Sequence, residues 1–432
     1  MRTTAELPST PGLDPLRERA AAAVARTAEL LADPTRPTVR PAAGAAALGS
    51  GAAGTALLFA ELAHTEPLHR QAAHAWLTEA AAHAKADRTA RPGLYQGAPA
   101  LSFAMHRVAL GTDDHRVARD RLGGQLGLLA ERLAAAELGR AELGEECADL
   151  EAYDLFSGLA GLGAHLLDRH EAGESVPLEP VLTALVALTR PLTRHGLPGW
   201  WVAQDVRGYV PTAPRAGHAS LGLAHGAPGP LALLALAWRA GVQVPGQGDA
   251  IARLADWLLV RRWEDAAGPW WPEYVELDGP LAVHAPRPAW CHGTPGIARA
   301  LHLAGLALGC ARWRTTAISA LRAALTRPGP RGRLTDAGLC HGWAGLLQTT
   351  WRMAQESGSP ELADQVPRLA ERLLELHDPE EPFGFIPAAR CGARTDDPAG
   401  FLTGGVGAAL ALHTVATGVA PATGWDRALL LA

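Results

Sequence analysis

The chain has 432 residues, longer than one ordinary core unless the fold is a closed repeat. Hydrophobic residues make up 48% and charged residues 19%, which excludes a disordered chain. The net charge is −5 and Lys85 is the only lysine, so no basic footprint for nucleic acid is visible. The N-terminal stretch carries prolines and acidic residues in place of the apolar run of a signal peptide, and no apolar run spans a bilayer without charge or proline. These features point to a soluble, cytoplasmic protein. The cysteines are Cys147, Cys291, Cys310, Cys340 and Cys391; an odd number at wide spacing argues against a disulfide framework and directs attention to metal binding or chemistry.

In chain order, helical periodicity alternates with a recurring phrase: an apolar lead-in, Gly, two residues, Gly, then an apolar helix. A helix over 15–33 precedes the first copy at Gly51 and Gly54. A helix over 68–88 precedes a degenerate copy at Gly97, with Ala100 at the second position. Helices over 114–136, 177–192 and 247–262 precede copies at Gly158 and Gly161, Gly226 and Gly229, and Gly293 and Gly296. Helices over 312–327 and 360–377 precede the copies at Gly342 and Gly345 and at Gly404 and Gly407. Glycines three apart share a helix face and predict close backbone approach between neighbours. Helices apolar nearly all round are those of a buried layer. The expected architecture is all-α: one closed α/α toroid of seven inner and seven outer helices, forming a single domain over the whole chain. Two stretches, near 196–220 and 263–288, hold Trp pairs, Pro and Gly, and read as small hairpin or loop insertions.

Unusual polar residues fall at one phase of the repeat. Cys291 and Cys340 stand two residues before Gly293 and Gly342, and His225 and His341 one residue before Gly226 and Gly342. Asp154 stands four before Gly158, and Arg287 six before Gly293. Parallel inner helices would bring all six to one mouth of the toroid. Two cysteines and a histidine match a tetrahedral zinc site with one position open. His292, which follows Cys291 as His341 follows Cys340, would close the site if it joined. Plainer readings stand beside these. The cysteines can be small buried hydrophobes, His225 can cap the preceding segment, Asp154 can complement a helix dipole, and Arg287 can be a surface residue between two prolines. Core packing is the favoured reading for Trp200, Trp201, Trp270 and Trp271. Cys310 reads as inert in an apolar helix, and Cys147 and Cys391 receive no role.

Through WCHGTPG, LCHGWAG, LGLAHGAPG, YDLFSGLAG and the lead-in APRPAWC, the sequence resembles the LanC family of lanthipeptide cyclases, of the nisin-cyclase type. The match runs in register over essentially the whole chain. The resemblance implies an α/α toroid holding Zn2+ through Cys291, Cys340 and His341, with His225 and Asp154 as an acid/base pair and Arg287 in place of the arginine four residues before the family's first cysteine. His292 departs from the tyrosine often found there. The implied reaction is addition of a peptide Cys thiolate to dehydroalanine or dehydrobutyrine. Zinc lowers the thiol pKa, His225 protonates the α-carbon and Arg287 stabilises the enolate oxygen. The partners implied are a dehydrated precursor peptide and the cognate dehydratase and exporter, with the enzyme cytoplasmic or peripheral in a membrane-associated complex. Addition of glutathione to dehydrated residues, or a non-catalytic zinc scaffold with four ligands, are the rival readings. A glycosidase toroid would need a carboxylate pair at the mouth.

Overall fold

The computed structural model describes residues 14–35, 47–86, 93–144, 146–193, 196–203, 217–277, 285–327, 334–387 and 398–432. Cys391 and parts of both Trp-rich stretches lie outside them. All seven glycine phrases open a helix: α2 (Ala52–Ala63), α4 (Gly97–Val108), α7 (Leu159–Glu171), α9 (Pro228–Arg239), α11 (Thr294–Ala307), α13 (Trp343–Ser357) and α16 (Gly405–Thr417). Between them come α1 (Asp14–Leu31), α3 (Arg70–Ala86), α5 (Arg116–Leu143), α8 (Leu178–Leu188), α10 (Gln247–Val260), α12 (Ala311–Thr326) and α15 (Gln365–Leu374), with short α6 (Leu150–Tyr153) and α14 (Pro360–Ala363). Among the described residues no helix is long and apolar enough to cross a membrane.

Burial separates the two sets. Every residue from Ala52 to Leu62 in α2, and from Thr294 to Gly305 in α11, is buried. In α10 only one face is buried, through Ala250, Ile251, Leu254, Ala255, Leu258 and Leu259. That spacing at three and four residues is the stripe of a helix lying against a core with its other side in water. The glycine-led helices therefore form the inner layer and the amphipathic ones the outer.

The described residues fall into two compact units, Met1–Leu122 with Gly332–Asp426, and Gly123–Arg331 with Arg427–Ala432. In the first, α2 packs against α4 and α16, and α16 against α13. In the second, α9 packs against both α7 and α11. Backbone bonds tie the helix starts together in the same orders. In the first unit Leu48 N–H donates to Tyr95 O, Leu402 N–H to Gly49 O and Cys340 N–H to Leu402 O, at 3.0, 2.9 and 2.8 Å. In the second, Ala224 N–H donates to Cys291 O at 3.3 Å and Leu155 N–H to Ala224 O at 3.0 Å. Each accepting carbonyl stands two residues before its phrase glycine.

The glycines admit close approach by neighbouring copies, as expected, and still closer approach by the chain's own lead-in. The first one caps its helix in an extended conformation in most copies, as at Gly342 and Gly293. The second lies against the chain's own lead-in. A Cβ on Gly54, Gly296, Gly345 or Gly407 would meet the carbonyl oxygen of the residue six earlier at 2.2, 2.1, 1.9 and 2.0 Å. Neighbouring copies approach as well: a Cβ on Gly54 would meet Phe401 Cβ at 2.7 Å, on Gly296 Leu223 Cβ at 2.9 Å and on Gly407 Leu339 Cδ1 at 2.8 Å, while Gly163, outside the phrase, faces Leu233 of α9 at 2.4 Å. The degenerate copy starts with Gly97 at φ +70, and Ala100 is accommodated there, fully buried.

The Trp-rich stretches form two small antiparallel ribbons. β2 (Trp263–Asp265) pairs with β3 (Gly268–Trp270) as a hairpin. β1 (His218–Ser220) pairs with β4 (Tyr274–Glu276), joining one stretch to the other. Trp200, Trp201, Trp270 and Trp271 are all buried, and Trp271 Nε1–H donates to Leu258 O at 2.8 Å. They pack cores, as expected.

Two outcomes follow from this packing. Gly345→Ala should destabilise the protein by at least about 1–3 kcal/mol, because the added carbon meets backbone that cannot swing aside. Gly124→Ala, in α5 with open space around it, should be neutral or stabilising by up to about 1 kcal/mol. Denaturant melts of the two variants check this, and equal behaviour would contradict the close approach. The second outcome concerns pH. Burial lowers the proton affinity of His115, His377 and His413 below the ordinary value of 6.5. Below about pH 6.5 the unfolded chain takes up protons that the native imidazoles resist, so stability should fall as pH drops from about 7 to about 5. His413→Gln should flatten part of that slope in melting-temperature scans, and a slope unchanged by the substitution would remove His413 as a contributor.

Candidate functional site

Within the second unit three helix starts converge: Asp154 to Gly158, Ala224 to Gly226, and Cys291 to Gly293. The bonds from Leu155 N–H to Ala224 O and from Ala224 N–H to Cys291 O fix their order. Asp154 uses both carboxylate oxygens. Oδ1 accepts from the backbone N–H groups of Ser157 and Gly158 at 2.8 and 2.9 Å, satisfying donors at the start of α7. Oδ2 lies 2.7 Å from His225 Nδ1. A carboxylate can only accept, so Nδ1 carries the hydrogen and Nε2 is the nitrogen left to face a substrate. The Asp154 side chain is 2% exposed and that of His225 is 32% exposed, so solvent reaches the pair through the imidazole.

Rings surround that imidazole. Phe156 stacks on it with centroids 4.7 Å apart and planes at 28°. His292 stacks at 5.6 Å and 27°. Tyr274 of β4 lies 5.8 Å from His292, and His218 of β1 packs edge-on to Tyr274 at 5.2 Å. Burial pushes the His292 imidazole toward its neutral form; Cys291 opposes this, while the charges of His225, Arg287 and His218 add to it. Burial, then Glu273 and Cys291, raise the Tyr274 phenol above its ordinary range. Arg287 is half-buried, and its carbonyl accepts from Ala289 N–H at 2.8 Å in the turn leading to Cys291.

Within the first unit, the lead-in from Asp336 to Gly342 presents Cys340 and His341. Cys340 is anchored by its bond to Leu402 O. Asp336 is 2% exposed; its Oδ1 accepts from Gly338 N–H at 2.9 Å and its Oδ2 lies 3.6 Å from His341 Nε2. A ligating histidine commonly has such a carboxylate on its other nitrogen.

Cys340 and His341 stand side by side in the first unit, and Cys291 holds the same position, two residues before its phrase glycine, in the second; two thiols and an imidazole are a donor set that suits a metal. The ring of His292 stacks on that of His225. Cys147 is half-buried, and burial raises its thiol. Cys310 stands at the N-cap of α12, outside the helix that the sequence suggested for it. Among the described cysteines none is in a disulfide.

Sequence reasoning missed Asp336, Phe156, Tyr274 and His218. Asp336 left a signal: an aspartate in an otherwise apolar lead-in, six residues before its glycine. Tyr274 and His218 left none, because the pairing of β1 with β4 joins segments some fifty residues apart in the chain.

Residues 44–430 match the family model described as lanthionine synthetase C-like protein. No curated protein matches the chain in sequence. Among solved structures the chain is similar to nisin cyclase, with a TM-score of 0.73 at 20% identity, covering 97% of this chain and 98% of that one. The fold is thus the α/α toroid of that protein, with the small β ribbons as insertions.

Proposed function

Because the chain belongs to the lanthionine synthetase C-like family, we propose that it is a zinc-dependent lanthionine cyclase acting on a dehydrated precursor peptide. In this reading the whole chain is one catalytic domain. The thiol of a peptide cysteine adds to the β-carbon of dehydroalanine or dehydrobutyrine and closes a thioether ring.

The observation that carries the reading is the donor chemistry of Cys291, Cys340 and His341, set at matching positions of two copies of the phrase. Two thiols and one imidazole suit zinc, and soft sulfur donors disfavour magnesium and calcium. Three protein ligands are the number found in catalytic zinc sites, where a fourth position serves the substrate. Zinc held there would lower the pKa of a substrate thiol, so that thiolate is available near neutral pH. The scaffold reading would need His292 as a fourth protein ligand.

The remaining chemistry belongs to the neighbouring imidazole. As the new C–S bond forms at the β-carbon, the electron pair of the C=C bond moves toward the carbonyl and leaves an enolate. His225 gives the proton on Nε2 to the α-carbon. Asp154, held rigidly by the start of α7, accepts from Nδ1–H and stabilises the imidazolium before transfer. Arg287 places positive charge where the enolate oxygen develops. An upstream dehydratase must supply the dehydroamino acid, and an exporter takes the product. The enzyme would work in the cytoplasm, alone or peripheral to a membrane-associated complex.

The metal and the acid can be tested separately. The protein should bind one zinc per chain, and Cys340→Ala should lose it in elemental analysis; full retention would remove this site. His225→Ala should keep its zinc but lose about 10²–10⁴-fold in ring closure, read by thiol alkylation and mass spectrometry of a dehydrated precursor. Asp154→Asn should show a milder form of the same defect. A His225→Ala enzyme cyclising at the wild-type rate would take both residues out of the mechanism.

A further inference from the structure

The hydrogen bond to Asp154 does not by itself orient His225. One contact through Nδ1 fixes a point and leaves the ring able to swing about the N···O line, which carries Nε2 away from any one target. Two rings stack on the imidazole, Phe156 at 4.7 Å and 28° and His292 at 5.6 Å and 27°. His292 is in turn backed by Tyr274 at 5.8 Å, on the ribbon that also carries His218.

We propose that Phe156 and His292 are positioning residues that lock the plane of the His225 imidazole, and that His292 does so with its ring rather than its nitrogens. The proposal rests on the reading of His225 as the acid. Three observations support the second clause. His292 Nδ1 is buried and has no hydrogen-bond partner, so that nitrogen is not what holds the side chain. The ring instead contacts those of His225 and Tyr274. Space for it is made by Gly222, whose Cβ would fall 2.6 Å from Nδ1 and 3.0 Å from Cε1. With Nδ1 unpartnered and room cleared for the ring's outline, shape is what the surroundings select.

The roles of shape and nitrogen separate by substitution in the full-length, zinc-loaded protein. His292→Ala and Phe156→Ala should each lower kcat by roughly two- to ten-fold, the factor that one aromatic pair corresponds to. KM and zinc content should be unchanged. His292→Phe should restore the wild-type kcat, and Phe156→Leu should fall between. An independent readout is the proton NMR signal of His225 Nδ1–H, identified by its absence in His225→Ala. It should be sharp and slow to exchange in the wild type and in His292→Phe, and broadened or lost in His292→Ala. A His292→Phe enzyme as slow as His292→Ala would show that a nitrogen matters and overturn the proposal. So would two alanine variants with the wild-type rate and a sharp signal. If the wild type closes no rings yet the NMR pattern holds, the cyclase reading fails and the positioning stands.

Discussion

A carbonyl pressed against a glycine is the contact on which the rest depends. In four of the phrases the carbonyl six residues ahead comes so near the second glycine that no Cβ fits. That contact folds each lead-in back over the first turn of its own helix and gives the starts a common shape. The carbonyl two residues before the phrase glycine then accepts, in each unit, a backbone hydrogen bond from the start of the preceding copy, the last copy donating to the first. A residue's distance from its glycine therefore fixes where its side chain emerges. Cysteine at −2 and histidine at −1 suit the roles proposed for them because the backbone there is already committed to neighbouring starts.

This explains why so much was legible in the sequence. The phrase is local and periodic, so helix starts and the alternation of inner and outer helices could be read from it. The phase of Cys291, Cys340, His225, His341 and Asp154 could be read without any knowledge of the fold. Close approach by neighbours was legible from the glycine spacing, but that the chain's own lead-in comes closer still was not, since spacing alone does not distinguish the two. What stayed hidden is tertiary. The β1–β4 ribbon pairs segments that carry no mutual signal, and it is this ribbon that places Tyr274 and His218 behind His292. Phe156 was visible only as one more apolar residue of a lead-in.

The repeat also uses one device twice. In each unit a buried aspartate from a lead-in stands by an imidazole at the −1 position: Asp154 by His225 at 2.7 Å, and Asp336 by His341 at 3.6 Å. The chemistry differs because the neighbours differ. His341 follows Cys340, so its imidazole comes with a thiol and suits a metal. His225 follows Ala224 and stacks with Phe156 and His292, so its imidazole comes with carbon surfaces and suits a proton. A single backbone frame thus supports both halves of the proposed addition, nucleophile and acid, from different copies of one phrase.

Asp154 shows why a structural and a functional role need not compete for one side chain. Read as a helix-start charge, it needs only one oxygen, and Oδ1 serves the N–H groups of Ser157 and Gly158. Those two bonds hold the carboxylate plane, so Oδ2 points at His225 without sampling other rotamers. The second oxygen is oriented by the work of the first. An asparagine could keep its Oδ1 on the same two donors, but its Nδ2 would then face His225 Nδ1 donor to donor, and the imidazole would have to shed its Nδ1 hydrogen to fit. The neutral ring so favoured keeps a hydrogen on Nε2, yet it has no carboxylate beside it to stabilise the imidazolium. A residual, weakened acid rather than an absent one is what that geometry leaves, because the cap preserves the position of the group while its charge is lost.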